Sequence, residues 1–347
     1  MTRTLDFRYR IMRDGADYGE IYPSNGAVPQ ISMRSSNAVK MNLTGSFLLP
    51  QKDVDWMHDE IRPELILDGA AYSLGIYRPI SVQEADDGKI ASISISANDR
   101  CWTVRDTRHE NRVFFAAGTN YVAAAVSVLT GSGISVINAA QTDAVLTEDR
   151  EWPTGSSCLD IVNELLSEIN YGQLWFDSRG TAMIRPVMTP AAVNISHILD
   201  ETKIESLLLP GIQSETDVLT APNVFVCVCS NADKSAAMTA VAENTNPQSP
   251  LSIARRGRRI TKVIRINNIS SQEALQVYAN RQVSDSMMAG EVITVKTCLL
   301  PGFGVGDVTA IRYGALMAIC RESAWTMDLT VGGQMTHTLE RTVMTLD

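Results

Sequence analysis

Positive charge is in short supply in this chain. Its 30 Lys and Arg residues face 39 Asp and Glu, a formal net charge of −9. A protein that grips nucleic acid on its surface needs a basic face to neutralise phosphates, and the chain as a whole does not supply one. Aromatic residues make up only 6%, while Met is plentiful at 14. Flexible thioethers of that kind fill irregular core gaps and suit adaptable protein contacts. Long apolar runs are missing, so no membrane span is expected. The start, Met1 to Phe7, lacks the apolar stretch of a signal peptide. Cys101, Cys158, Cys227, Cys229, Cys298 and Cys320 are scattered without framework spacing. They read as reduced thiols of a protein made in the cytosol. No internal repeat of fixed period is visible. At 45% hydrophobic and 20% charged the chain is not a disordered one. Its 347 residues exceed what one core usually serves, so more than one domain is expected.

Catalytic signatures are equally scarce. His58, His109, His197 and His337 stand at no metal-binding spacing from one another. A Ser or Cys nucleophile therefore has no evident base. Gly155-Ser156-Ser157 does not complete a nucleophile elbow and reads as a helix cap. Gly302-Phe303-Gly304-Val305-Gly306 lacks the Lys and the following helix of a phosphate loop, so it reads as a turn. Cys227 and Cys229 share one face of a strand and read as core thiols, because no second pair lies at zinc spacing. Asp53, Asp55, Asp59 and Glu60 fail the calcium-loop rule and read as a solvated helix face. No catalytic, cofactor or metal residue is assigned.

What is there is mostly strand. Leu5, Phe7, Tyr9 and Ile11 alternate with polar residues, and Asp14-Gly15 supplies a turn. Further short runs at 31–33, 41–49, 65–67, 72–77 and 90–96, the last after Asp87-Gly88, predict a barrel or sandwich over 1–98. The texture changes near Asp99. A helix is predicted over Thr119–Leu129, stopped by Gly131-Ser132-Gly133. Leu159, Val162, Leu165, Leu166 and Ile169 predict a second, with Gly172 as its stop. A hairpin at 174–184 follows, so 99–200 reads as a small α/β domain. Strands are expected at 204–209 and 224–228, a loop over 231–250, and a helix over 272–287 capped by Ser270-Ser271. The remainder is β again.

One dense basic patch stands out: Arg255, Arg256, Arg258 and Arg259 around Gly257. It reads either as a partner contact or as a solvated hairpin tip.

Several phrases, taken in order, resemble the baseplate hub proteins of phage tails. That group includes the T4 hub, late-control D-like proteins and the N-terminal part of siphophage tail-associated proteins. The phrases are Asp99 closing a strand ahead of Gly118-Thr119 and an Ala/Val helix; and the helix from Gly155 leading to Tyr171-Gly172, Trp175-Phe176-Asp177 and Gly180. Then come Pro222-Asn223-Val224-Phe225-Val226; Ser249 to Ile253 before the arginines; and Ser270 to Ala279, Leu300-Pro301 and Gly306-Asp307-Val308. The resemblance spans nearly the whole chain.

It implies a β-rich α+β fold: two antiparallel β-barrel domains with α/β insertions. The domains would be 1–98, a peripheral α/β domain at 99–200, and a second barrel at 201–347 with a helical insertion at about 231–290. It implies a structural, non-enzymatic role as a homotrimer in the virion tail, made in the host cytoplasm. The trimeric ring would adapt a sixfold tube to a threefold tip. Partners would be a distal tail or tube protein, a tape measure, and a spike or fibre, with DNA only in transit and no stable membrane insertion. Net acidity would then serve as a carboxylate lumen that does not hold phosphate. No extra lysozyme, peptidase or receptor-binding segment is expected within these residues. Two other readings stay open. One is a cell-wall hydrolase assembled from distant residues. The other is a carbohydrate- or receptor-binding module using Trp56, Trp102, Trp152, Trp175 and Trp325.

Overall fold

Alternating residues become strands wherever one face finds cover. The computed structural model describes residues 4–50, 52–86, 91–188, 190–203, 207–215, 221–229, 238–266, 269, 271–288 and 291–341. The first region supplies β1 (Leu5–Arg13), β2 (Ala16–Ile21), β3 (Gln30–Arg34), β4 (Met41–Leu48), β5 (Glu60–Leu67), β6 (Ala70–Ser73), β7 (Tyr77–Asp86) and β8 (Ala91–Asp99). Their inward side chains, among them Tyr9, Ile11, Leu43, Phe47, Ile61 and Ile93, form one core. The pairing runs β3-β4-β8-β7-β5-β1-β2. Past β2 the chain turns back: Pro23 bridges Phe47, and Leu48 N donates to Tyr22 O at 2.8 Å. The end of the path thus returns to β4.

An α/β block follows, with α1 (Cys101–Asp106), β9 (Val113–Phe115), α2 (Tyr121–Gly131), β10 (Ile137–Ala139), β11 (Arg150–Trp152), α3 (Cys158–Glu168), β12 (Trp175–Phe176) and β13 (Ala182–Ile184). Leu159, Val162, Leu165 and Leu166 seal α3 into the block's own core against α2. Ser157 is the residue before α3, but its hydroxyl donates to Arg105 O rather than capping the helix. Asn170, at φ +60°, supplies the left-handed residue after α3 that was assigned to Gly172.

The last region holds β14 (Ile195–Asp200), β15 (Leu208–Glu215), β16 (Val224–Cys229), β17 (Met238–Glu243), α4 (Ile253–Arg256), β18 (Thr261–Ile266), α5 (Gln272–Met288), β19 (Glu291–Cys298), β20 (Val308–Tyr313), β21 (Leu316–Asp328) and β22 (Gln334–Arg341). Strands β14, β20, β21, β22, β19 and β15 pair in that order around a second core. Strand β14 already pairs with β20, so this sheet takes up the chain from Ile195. The expected loop over 231–250 contains β17, because Ala240 and Ala242 find cover beneath α5. Ser270, Asp87-Gly88 and residues 204–206 lie outside the described residues.

The two β-rich regions are one sheet. Strand β21 is long enough to pair with β20 by its first half and with β3 by its second. This yields a 14-stranded sheet. The chain is therefore β-rich α+β, as expected. The recorded pairing shows the halves joined edge to edge, and β14 and β15 do not pair with each other among the described residues.

Gly75 has φ +123°, a conformation that side chains with a Cβ rarely adopt. A Cβ there would sit 2.6 Å from the Tyr77 hydroxyl, which is itself buried and donates to Leu74 O. Gly69, at φ +84°, has open space around it. Gly75→Ala is expected to cost about 3 kcal/mol and Gly69→Ala about 1 kcal/mol. Urea unfolding midpoints of both variants check the contrast.

Candidate functional site

The regions meet at Asp99. This carboxylate ends β8 and is buried. Its oxygens accept Met41 N and Cys101 N, both at 3.0 Å, so one side chain ties β4 to the first helix of the α/β block. Burial pushes its pKa up to about 7, against those two hydrogen bonds and nearby Lys40. Arg100, next in sequence, forms an ion pair with Glu60 and reaches Gly180 O. Lys40 is buried too and donates to Gln173 Oε1 at 2.6 Å. A cavity of about 250 Å³ lies at the three-way junction. Met33, Met41, Met183, Met327 and Met335 contribute to its wall, with Trp175 and Trp325 beside them.

A second polar cluster occupies the core behind that cavity. His337 Nδ1 lies 3.1 Å from Glu322 Oε1, and His337 Nε2 lies 3.0 Å from Thr297 Oγ1. Phe303 stacks on His197 and meets the His337 ring at a 56° tilt, and His197 Nε2 lies 2.8 Å from Asp307 Oδ2. The bonding order hydroxyl, imidazole, carboxylate matches a nucleophilic triad. Thr297, His337 and Glu322 are each 0% exposed, however, so no substrate carbonyl reaches the hydroxyl in this conformation. What the cluster can do is hold a proton. Burial raises Glu322 above the usual carboxylate range, opposed by its bond with His337. Its Oε2 has no partner among the described residues.

Sequence reading missed this cluster because a bulge creates it. Trp325 and Met327 face the core, as do Cys320 and Glu322. The parity changes at Ser323, where the β21–β22 register shifts. Had alternation run unbroken from Trp325, Glu322 would point outward; the bulge keeps the two on the inward face although they are three residues apart. Only unusual parity along 320–327 hinted at it.

The residues singled out from sequence are dispersed. Arg255 and Arg256 lie on α4, and Gly257 follows in left-handed conformation. The tip is thus a short helix rather than a hairpin. Arg256 donates to Ala221 O at 2.5 Å, and Arg259 forms an ion pair with Glu243. Arg255 and Arg258 are exposed. Cys227 and Cys229 both lie in the core under α5. Asp53 to Glu60 is not a helix face: Asp59 is buried and holds Arg13 at 2.6 Å, while Glu60 opens β5. The Arg13 hydrogen bond keeps Asp59 below the usual carboxylate range.

The outward face of the long sheet has its own composition. Asn98, Asn42, Ser32, Thr326 and Thr336 stand side by side across β8, β4, β3, β21 and β22. Ser96, Thr44, Gln30 and Asp328 form the adjacent row. Thr338, Thr294 and Gln213 form a further row over β22, β19 and β15 in line with Ala324 and Arg34, and Lys296 continues the first row beyond Thr336. Hydroxyls and amides dominate a surface that crosses both halves.

These features define a β-rich protein of two sheet halves joined through one strand, with an α/β block docked at the join. No family model and no curated protein matches the sequence. Solved structures do match. A tail protein from Neisseria meningitidis MC58 is 13% identical, with 97% of each chain covered and a TM-score of 0.66. A 43 kDa tail protein of prophage MuSo2 from Shewanella oneidensis is 11% identical over 96% of this chain and 98% of that one, TM-score 0.68. A type VI secretion component from E. coli, described as similar to T4 tail proteins gp27 and gp5, is 8% identical over 96% of this chain and 76% of that one, TM-score 0.54. The chain shares the fold of these phage tail proteins. No helix among the described residues is long and apolar enough to cross a membrane.

Two outcomes follow for this site. The raised Asp99 pKa means the fold favours the protonated form. Its contribution is fully present below about pH 4 and is lost as pH rises through about 7. Stability should therefore decline between about pH 4 and 7 in the native protein, and Asp99→Asn should flatten that slope in thermal melts. Glu322→Ala strands the buried His337 Nδ1 and is expected to cost about 3 kcal/mol, against about 1 kcal/mol for Thr297→Val. Urea titrations at pH 7 compare them.

Proposed function

We propose that this chain is a structural tail hub protein. Its copies form a homotrimeric ring that joins a sixfold tail tube to a threefold tip and lets DNA pass. The observation that carries this reading is the joined sheet. Each chain holds two β-rich halves linked edge to edge through β3 and β21, so a ring of three copies presents its sheet halves in pseudo-sixfold array. The Pro23–Phe47 bridge supports reading the first half as a closed barrel, and the shared core of β14, β15 and β19 to β22 supports the same for the second. Likeness to tail proteins at nearly full coverage supports the location in a virion tail.

In this reading the hydroxyl and amide face lines the lumen. Cations are few on this face, with Arg34, Arg78 and Lys296 standing among the hydroxyls and amides, so phosphates find little to hold them. Neighbours in the tail would be the distal tail or tube protein, the tape measure, and the spike or fibre. The exposed arginines Arg255 and Arg258 are assigned to partner contact, and Arg256 and Arg259 to shaping the segment that presents them. No catalytic or cofactor role is assigned.

Native mass spectrometry with light scattering tests the ring. A species of three 37.9 kDa chains is expected. A strict monomer at high concentration counts against the reading. Thr44→Lys with Thr326→Lys is expected to leave the trimer intact and to slow DNA release from assembled particles, read by dye uptake.

A further inference from the structure

The three-stranded sheet β17-β16-β18 stands apart from the long sheet and has α5 on one face. Its two edges are treated differently. On the β17 edge, α5 sends Gln272 Nε2 to Thr239 O and Gln276 Nε2 to Val241 O, both at 3.0 Å. Those carbonyls are taken. On the β18 edge nothing equivalent is present among the described residues. Asn223 N and Val224 N both donate to Ile260 O. In a parallel pair the bonding residues alternate, so Lys262 and Ile264 turn their backbone groups to β16. Thr261, Val263 and Arg265 therefore turn theirs outward.

The surroundings of this edge are apolar on one side and cationic along its length. Val263, 55% exposed, stands in register with Val226 and Val241 on the face away from α5. Lys262 and Arg265 lie on the strand itself and are exposed, and Arg255 and Arg258 precede it. Glu243 is engaged by Arg259. A second copy adding its own β18 would bring Lys262 and Arg265 against their equivalents, which like-charge repulsion opposes. A nucleic acid would meet the cations but leave the backbone groups and the valines unused.

We propose that the β18 edge takes up an extended, carboxylate-bearing segment of a neighbouring protein as an added strand. The main chain of that segment bonds to Thr261, Val263 and Arg265. Its side chains alternate between faces: on the α5 face carboxylates meet Lys262, and on the other face apolar side chains cover Val263 beside Arg265. That the neighbour is a tail component rests on the hub reading; the edge geometry does not.

The test uses the full-length protein and a fluorescent octapeptide alternating Val and Glu. Anisotropy should report binding that weakens as salt rises, and hydrogen exchange over 261–265 should slow on saturation. Val263→Pro removes only an outward N–H and leaves the β16 ladder intact; it should lower affinity at least tenfold. Lys262→Glu with Arg265→Glu leaves the backbone unchanged and should do the same, as should exchanging Glu for Lys in the peptide. No binding, unaltered affinity in both variants, unaltered exchange, or tighter binding of a 20-base-pair duplex would each overturn the proposal. A protein that stays monomeric yet binds the peptide at this edge would remove the hub reading and leave the edge assignment standing.

Discussion

Everything in this molecule depends on how β21 changes partners along its length. Its first half belongs to one sheet half through β20, and its second half is a rung beside β3. A regular strand would present the same residue parity to both cores. The bulge at Ser323 shifts that parity, so Cys320 and Glu322 face one core while Trp325 and Met327 face the other. One inserted residue thus lets a continuous backbone serve two cores. The buried Glu322–His337–Thr297 group sits at that shift. A buried polar group this well connected resists register slip, because sliding by one residue would strand every member.

Much of the fold was legible because it is local. The stripe Leu159, Val162, Leu165, Leu166 needs no distant information to become α3. The alternation of 292–297 needs none to become β19. The illegible parts are long-range. Nothing near Ala324 in the sequence names Arg34 as its neighbour, yet that pairing joins the sheet halves. The loop expected over 231–250 hides β17, whose two Ala and one Glu are weak strand formers rescued by cover from α5. Asp59 looked solvated because acidic neighbours surround it, while Arg13, its actual partner, lies 46 residues away.

The candidate surfaces follow the same division. The arginine run was visible as composition, but the sharing of tasks within it was not. Arg256 and Arg259 turn back on the chain, while Arg255, Lys262 and Arg265 stand exposed. The hydroxyl face was invisible for another reason. Ser and Thr alternate in each strand separately, and only strand order lines them up. A chain with net charge −9 therefore presents, across its widest surface, side chains that are mostly neutral.

The glutamines of α5 on the β17 edge carry a last consequence. Sheets that are open on both sides can act as donor and acceptor at once, and chains of such units grow without limit into fibres. Closing one side leaves a valency of one. Whatever docks beside β18 ends the addition rather than extending it. Copies crowded together at high local concentration can therefore build a finite object instead of a filament.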